Sequence, residues 1–229
     1  MTDAILQKAA TQMLNLETAR AQMIAQQVRT WDVLDERVLA AIATVHREEF
    51  VPEGYRSAAF ADAPIPLGHG QIMLPPKLDG RILESLDLQA GAEVLEIGTG
   101  SGFLAACLAT LAGRVRSLEI FPDLAALATR NLRSAGIARA SVETMDALKL
   151  DERDRYDAIV ITSSLPIYDA RFERALKQGG RLFVVTGSAP VMEALLVVRG
   201  EGAEFTRTAL FETSVPALVN APVPPRFVF

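Results

Sequence analysis

The stretch Val94–Phe103, VLEIGTGSGF, constrains this chain more than any other. An apolar run meets an acid, Glu96, and then breaks into glycines at alternate positions, Gly98, Gly100 and Gly102. A buried parallel strand running into a tight turn and then a helix has this pattern. Glycine suits such a turn because it tolerates unusual dihedrals and lets a ligand approach the backbone closely. The helix that follows, Leu104–Leu111, presents unpaired N–H groups at its start. The turn is therefore read as a cofactor site.

Strands and helices alternate after it. Val94–Ile97 and Val115–Ile120 read as strands separated by the first helix and Gly113. Asp123–Ala135 reads as a helix entered by Pro122 and capped by Gly136. Ala140–Glu143, Tyr156–Thr162 and Arg181–Thr186 read as further strands, with a short helix at Ala170–Leu176 ended by Gly179-Gly180. Val191–Val198 and Phe205–Phe211 form a predicted hairpin across Gly200-Glu201-Gly202. The pattern predicts an α/β fold, a mainly parallel sheet with helices on both faces and an antiparallel edge.

Upstream, residues 1–15 read as a weakly specified helical extension. Leu16, Ala19, Met23, Ile24 and Val28 then lie at helical spacing until Trp31-Asp32 breaks the pattern. Asp35 stands where an N-cap belongs, ahead of Val38, Leu39, Ile42 and Val45, and Pro52 and Gly54 are expected to close that helix. Residues 60–76 carry four prolines and two glycines and read as a long loop, a kind of segment that is usually functional. Lys77–Leu88 returns to helical spacing, with Gly91 as its stop. The proline-rich tail Ala221–Phe229 reads as a flexible terminus.

Composition narrows the function classes. The 229 residues suffice for a large domain, and half of them are hydrophobic. A net charge of −5 argues against sequence-independent nucleic-acid binding. No apolar run approaches the ~18 residues of a membrane span, and the N-terminus lacks the layout of a secretory signal. The single cysteine, Cys107, excludes an internal disulfide and points to the cytoplasm. His46 and His69 lie in separate segments with no Cys/His cluster, so no metal is expected. Cys107 reads as core. His46, beside Arg47, reads as a helix-end residue favoured by the dipole.

In a doubly wound sheet the ligand lies beyond the carboxyl ends of the strands. Dinucleotides prefer G-x-G-x-x-G, whereas here the spacing is G-x-G-x-G with Phe103 next. Glu96 before the turn would repel a pyrophosphate and welcome a sulfonium and an ammonium. S-adenosylmethionine is favoured over NAD. Glu119, at the end of the second strand, can accept from both ribose hydroxyls; the plainer alternative is a solvated strand-end charge. Asp146 can accept from the adenine amino group, or simply cap a short helix. Thr99, Ile120 and Ala147 complete the candidate cofactor set.

These residues, with Glu17–Leu67, resemble the protein-L-isoaspartate O-methyltransferase family. The matching stretches are MIAQQVR, DERVLAAIATVHREEFVPEGYRSAAFADAPIPLGHGQ, VLEIGTGSGF, YDAIVITSS and LKQGGRLFVVTG, over roughly residues 16–215. The resemblance implies a Rossmann-like class I methyltransferase fold, with a seven-stranded sheet and an N-terminal helical cap. It divides the chain into a cap and substrate loop (1–90), an S-adenosylmethionine-binding core (91–220) and a tail (221–229). It also implies methyl transfer from S-adenosylmethionine to a carboxylate of a damaged aspartyl residue. The family's cofactor motif falls on Glu96, Gly98, Gly100 and Gly102, its ribose acid on Glu119 and its adenine-side acid on Asp146. After Gly-His-Gly-Gln the family continues Thr-Ile-Ser-x-Pro, and its serine seats the isoaspartyl group. This chain reads Ile72-Met73-Leu74-Pro75-Pro76, with Leu74 in the serine's place. Ser163-Ser164-Leu165-Pro166 also departs from a more alanine-rich run. His69 and Gln71 remain as candidate substrate contacts, His69 being equally readable as a loop hydrogen-bonder.

The expected activity is a methyltransferase with weak or no isoaspartyl repair, acting on a protein, peptide or small-molecule acceptor. A methyltransferase for a different substrate and a non-catalytic S-adenosylmethionine-binding or interaction protein stay open as alternatives. A nicotinamide oxidoreductase is disfavoured by the glycine spacing. A base or amine N-methyltransferase is disfavoured because Thr162-Ser163-Ser164-Leu165 lacks an Asn/Asp-Pro-Pro-aromatic stretch.

Overall fold

A computed structural model describes residues 2–202 and 204–225; the Phe-Val-Phe end of the tail lies outside them. Helix α1, Thr2–Met23, continues through a π turn and a 3-10 turn to Trp31. It stops where Asp32 turns left-handed at φ 56°, at the break the sequence marks. Asp35 caps α2, Glu36–Thr44, its carboxylate accepting from the Arg37 N–H at 2.8 Å. This helix ends earlier than Pro52 and Gly54 suggest. Val45 leaves it in an extended conformation, which turns Val45 and Arg47 into the core.

The 60–76 stretch is not structureless. It holds a hairpin, β1 (Ile65–Gly68) and β2 (Gln71–Met73), turning at His69-Gly70, where φ is 51° and 70°. Both tip residues have the positive φ that a tight hairpin turn requires. The prolines and glycines hid the strands. Helix α3, Pro76–Leu86, has proline in its first turn and ends at a left-handed Asp87, φ 45°, before Gly91 is reached.

The main sheet contains β3 (Glu93–Ile97), β4 (Arg114–Glu119), β5 (Ala140–Thr144), β6 (Tyr156–Leu165), β7 (Leu176–Ser188), β8 (Val191–Arg199) and β9 (Phe205–Glu212). Their order is β5-β4-β3-β6-β7-β8-β9. The strands from β5 to β7 run parallel, and β8 is antiparallel to both its neighbours. The helices between them are α4 (Phe103–Leu111), α5 (Pro122–Ser134) and α6 (Arg171–Arg174). The chain leaves β3 toward β4 and returns on its other side as β6. A crevice at the carboxyl ends of β3 and β6 follows from that reversal.

Gly179-Gly180 does not end the short helix, as the sequence reading expects, but lies inside β7. The β6–β7 register slips between Tyr156↔Leu176 and Ala158↔Arg181, and Gly179 sits there at φ 77°. A Cβ on Gly180 would lie 2.8 Å from the Lys177 carbonyl. The pair supplies a bulge.

Alternate residues of each central strand feed two apolar layers. Val94, Val115, Ala158, Val160 and Phe183 face the cluster built with α2, α3 and α4. Leu95, Ile97, Leu118, Ile159 and Val184 face the other, which is closed by Phe172. One polar group is set deep in the first layer. Arg47 is fully buried. Its Nε donates to the Ala59 carbonyl at 2.9 Å, Nη1 to Asp79 at 2.7 Å and Nη2 to the Leu74 carbonyl at 2.5 Å. Its guanidinium also lies 4.9 Å over the Phe103 ring. A single side chain thus joins the turn after α2, the hairpin's exit, α3 and α4. Burial pushes the Asp79 carboxyl up and the Arg47 guanidinium down, each partly offset by the other.

Arg47→Ala should cost about 3–5 kcal/mol in chemical denaturation, because it strands a buried carboxylate. Arg47→Lys should recover part of this, since an ammonium cannot reproduce the planar fork. A loss for Arg47→Ala below about 1 kcal/mol would contradict the pinning role.

Candidate active site

Gly98 and Gly100 form the floor of the crevice at φ 91° and 54°. A Cβ on Gly98 would lie 2.3 Å from Thr162 Oγ1, and one on Gly100 would lie 2.9 Å from Leu67 Cδ1. The Thr162 hydroxyl donates to the Gly98 carbonyl at 2.8 Å. Gly102 serves another purpose: it starts α4 at φ 86°, and a Cβ there would press on Ala128 of α5 at 3.2 Å.

Glu119 ends β4 and is 5% exposed. Its Oε2 accepts from the Gly100 N–H at 3.0 Å and its Oε1 from the Phe121 N–H at 3.1 Å. Two backbone donors therefore fix the carboxylate, while each oxygen retains acceptor capacity. A crevice lies beside it. Gly98, Gly100, Glu119 and Ile120 form one wall, and Met145, Asp146 and Ala147 form a second. Gln71, Ile72, Thr162 and Ser163 close it from the hairpin and β6. Asp146 caps a short helix, one of the two sequence readings, and also lines the crevice. Its Oδ1 caps the turn Ala147–Lys149 through the Leu148 N–H at 2.9 Å. Its Oδ2 accepts from Asn220 Nδ2 at 3.0 Å.

Sequence reasoning missed the last wall. Pro216, Leu218 and Val219 lie against the crevice. The segment is held by the Ser164 N–H donating to the Pro216 carbonyl at 2.9 Å and the Leu218 N–H donating to the Ser164 carbonyl at 2.8 Å. A single parallel bridge, Ser164↔Ala217, leaves no strand-length periodicity to read.

Glu96 is not at the open wall. It is fully buried beside a small chamber of about 30 Å³ that Leu74, Asp79 and Thr99 also line. Ile72, Gly98, Gly100 and Thr162 border both spaces, so the chamber adjoins the crevice. Glu96 Oε2 accepts from the Ser117 hydroxyl, which is 2.5 Å from that of Thr99, and Oε1 has no partner. Burial pushes the Glu96 carboxyl up to about 8. The Ser117 hydrogen bond opposes this, and the nearby Asp79 and Glu119 carboxyls reinforce it. The strand alternation explains the placement: Glu96 follows Val94 onto the α3/α4 face, and Ile97 points to the other. A buried acceptor without a protein partner beside the glycine bend fits a ligand that brings an ammonium group.

Leu74 is 6% exposed and lines the same chamber. His69 is not on the crevice wall. Its ring stacks on Phe121 at 4.1 Å, and Nε2 is 2.9 Å from Asp123, whose carboxyl it holds below the usual range. It seats the hairpin on the start of α5, while Gln71 reaches the wall. His46 lies beyond the end of α2, with Nδ1 3.5 Å from Glu49. Cys107 is buried in the core, and burial pushes its thiol up. Among the described residues no group of three or more His, Cys, Asp or Glu could hold a metal ion, and no helix is long and apolar enough to cross a membrane.

Residues 18–215 match the model of the family "Protein-L-isoaspartate(D-aspartate) O-methyltransferase (PCMT)". The protein-L-isoaspartate O-methyltransferase of Koribacter versatilis is 38% identical over 202 residues, which is 88% of this chain and 90% of the relative. That of Methanoculleus marisnigri is 38% identical over 184 residues, 80% of this chain and 84% of the relative. A Plasmodium falciparum structure named for PCMT and holding S-adenosyl-L-homocysteine superposes with a TM-score of 0.75 at 17% identity, covering 87% of this chain and 97% of that one. A second structure, named protein-L-isoaspartate O-methyltransferase, also gives 0.75 at 24% identity, covering 86% of this chain and 65% of that one. At those identities the two structures speak for the fold, and the sequence matches speak for the kinship. The chain belongs to the protein-L-isoaspartate(D-aspartate) O-methyltransferase family and is an S-adenosylmethionine-dependent methyltransferase.

Proposed function

We propose that the crevice holds S-adenosylmethionine with the ribose on Glu119, the adenine against Ile120, Asp146 and Ala147, and the amino-acid end toward Glu96. Thr99 supports that end through Ser117, and Gly98 and Gly100 let the cofactor approach the backbone. The methyl acceptor is a carboxylate on a protein, peptide or small molecule, and isoaspartyl peptides are poor acceptors. Leu74 carries this reading: a buried hydrocarbon lines the chamber where the family resemblance puts a serine hydroxyl. A reducing location, the cytoplasm, fits the lone free Cys107.

The cofactor supplies a methyl group on a sulfonium, already an activated leaving group. A carboxylate acceptor has an unperturbed pKa near ~4 and is ionised at neutral pH. The chain therefore needs no general base, and its residues act by alignment, which can remove about 7–11 kcal/mol of barrier in favourable cases. Glu119 fixes the nucleoside through a carboxylate that is itself held by two backbone N–H groups. The hairpin supplies Gln71 and Ile72 to the wall that an acceptor must pass. Without the serine, an orienting hydrogen bond to a charged group is lost, worth roughly 1.5–3 kcal/mol.

Glu119→Ala should weaken S-adenosylhomocysteine binding about tenfold to a hundredfold in calorimetry. An unchanged affinity would remove the ribose from that carboxylate. With labelled S-adenosylmethionine, isoaspartyl peptide turnover should lie about ten- to hundredfold below that of a serine-containing relative, and Leu74→Ser should raise it. Wild-type turnover equal to the relative's would overturn the reading of Leu74. Transfer to no acceptor in a broad screen would favour a non-catalytic role.

A further inference from the structure

Among the described residues, no cation is paired with the Glu96 carboxyl. Its Oε1 is buried and unpartnered, and its Oε2 meets only neutral hydroxyl chemistry at Ser117. The charged groups that face it are acidic: Asp79 from α3 and Glu119 from β4. From α4 comes Cys107, whose thiol is held protonated by burial. The guanidinium beyond Asp79, on Arg47, is committed to Asp79 and to the Ala59 and Leu74 carbonyls. An anion in this position would stand unpaired in a low-dielectric interior beside like charges. The chamber borders the crevice along Ile72, Gly98, Gly100 and Thr162. A ligand reaching in from the nucleoside side would bring the first cation to Glu96.

We propose that Glu96 is a neutral carboxylic acid in the cofactor-free protein and gives up its proton when the α-ammonium group of the cofactor arrives, so that cofactor capture releases a proton and tightens as pH rises. The inference rests on the orientation proposed above, with the amino-acid end toward Glu96. The O–H bond of Glu96 breaks, the proton passes to solvent, and an N–H of the ammonium donates to the resulting carboxylate. Nothing is oxidised or reduced. The direction agrees with the upward displacement of this carboxyl to about 8. At pH values below that, the empty protein carries the proton and the occupied one does not.

The coupling belongs to the ammonium rather than the sulfonium. S-adenosylhomocysteine, which lacks the sulfonium, should release the proton, whereas methylthioadenosine, which lacks the amino acid, should bind without releasing it. Product and methyl donor then share the pH dependence, and acidification loosens both.

The test is titration calorimetry on the full chain near neutral pH in buffers of different ionisation enthalpy. S-adenosylhomocysteine should give an apparent enthalpy that varies with the buffer, corresponding to release of about one proton. Its affinity should rise about tenfold per pH unit between about pH 6 and 7. Methylthioadenosine should show neither effect. Glu96→Gln, which keeps the shape and stays neutral, should bind S-adenosylhomocysteine more weakly, with a buffer-independent enthalpy and a flat pH profile. Tight binding of S-adenosylhomocysteine with no buffer dependence would overturn the proton coupling while leaving the cofactor site intact. Proton release persisting in Glu96→Gln would do the same. No binding of S-adenosylhomocysteine at any pH would overturn the cofactor orientation and the coupling together.

Discussion

The carboxylate of Glu119 ties the glycine bend after β3 to the end of β4 by accepting the Gly100 and Phe121 N–H groups. Much of the crevice depends on that tie. It sets the spacing between the two strand ends and turns the remaining acceptor sites of the carboxylate outward. It also places Phe121, on which the His69 ring stacks. The hairpin that walls the other side is therefore seated, through His69, on the residue next to the one that Glu119 orders. A loop long enough to look shapeless is thereby given a definite position over the glycine bend.

Beneath this lies a layer of buried charge. Arg47 and Asp79 neutralise one another and join the turn after α2, the hairpin's exit and α3. A buried ion pair contributes little net stability but is costly to half-remove. Its value here is positional, since it fixes the backbone carbonyl of Leu74 and so the wall of the inner chamber. Glu96, close by, has no such partner. One buried carboxylate is satisfied by a guanidinium and the other is left with an unpartnered oxygen.

The glycine bend, the strand-helix alternation, the edge hairpin and the Asp35 cap were legible because each rests on local pattern. Glu119 and Asp146 were legible because strand-end acids occupy predictable places in such sheets. What could not be read depends on distant pairing. Arg47 and Asp79 are far apart in sequence, and neither carries a motif. The segment around Pro216–Val219 meets the crevice through one bridge to Ser164, too short to show a period. Gly179-Gly180 resembles a helix stop, and only the slipped register of β6 and β7 makes it a bulge. The sequence places Glu96 as an acid just before the glycine turn; only strand alternation shows that its side chain is carried inward.

The fold and the kinship establish a methyltransferase. Both the cofactor's orientation and the role of Glu96 follow from one placement, the nucleoside lying between the glycine bend and Glu119. A crystal structure of the protein with S-adenosylhomocysteine examines that placement. The account predicts both ribose hydroxyls within about 2.5–3.0 Å of the Glu119 oxygens, with the ligand's amino group in the chamber beside Glu96. A nucleoside bound elsewhere, or a crevice filled by its own side chains, would contradict it.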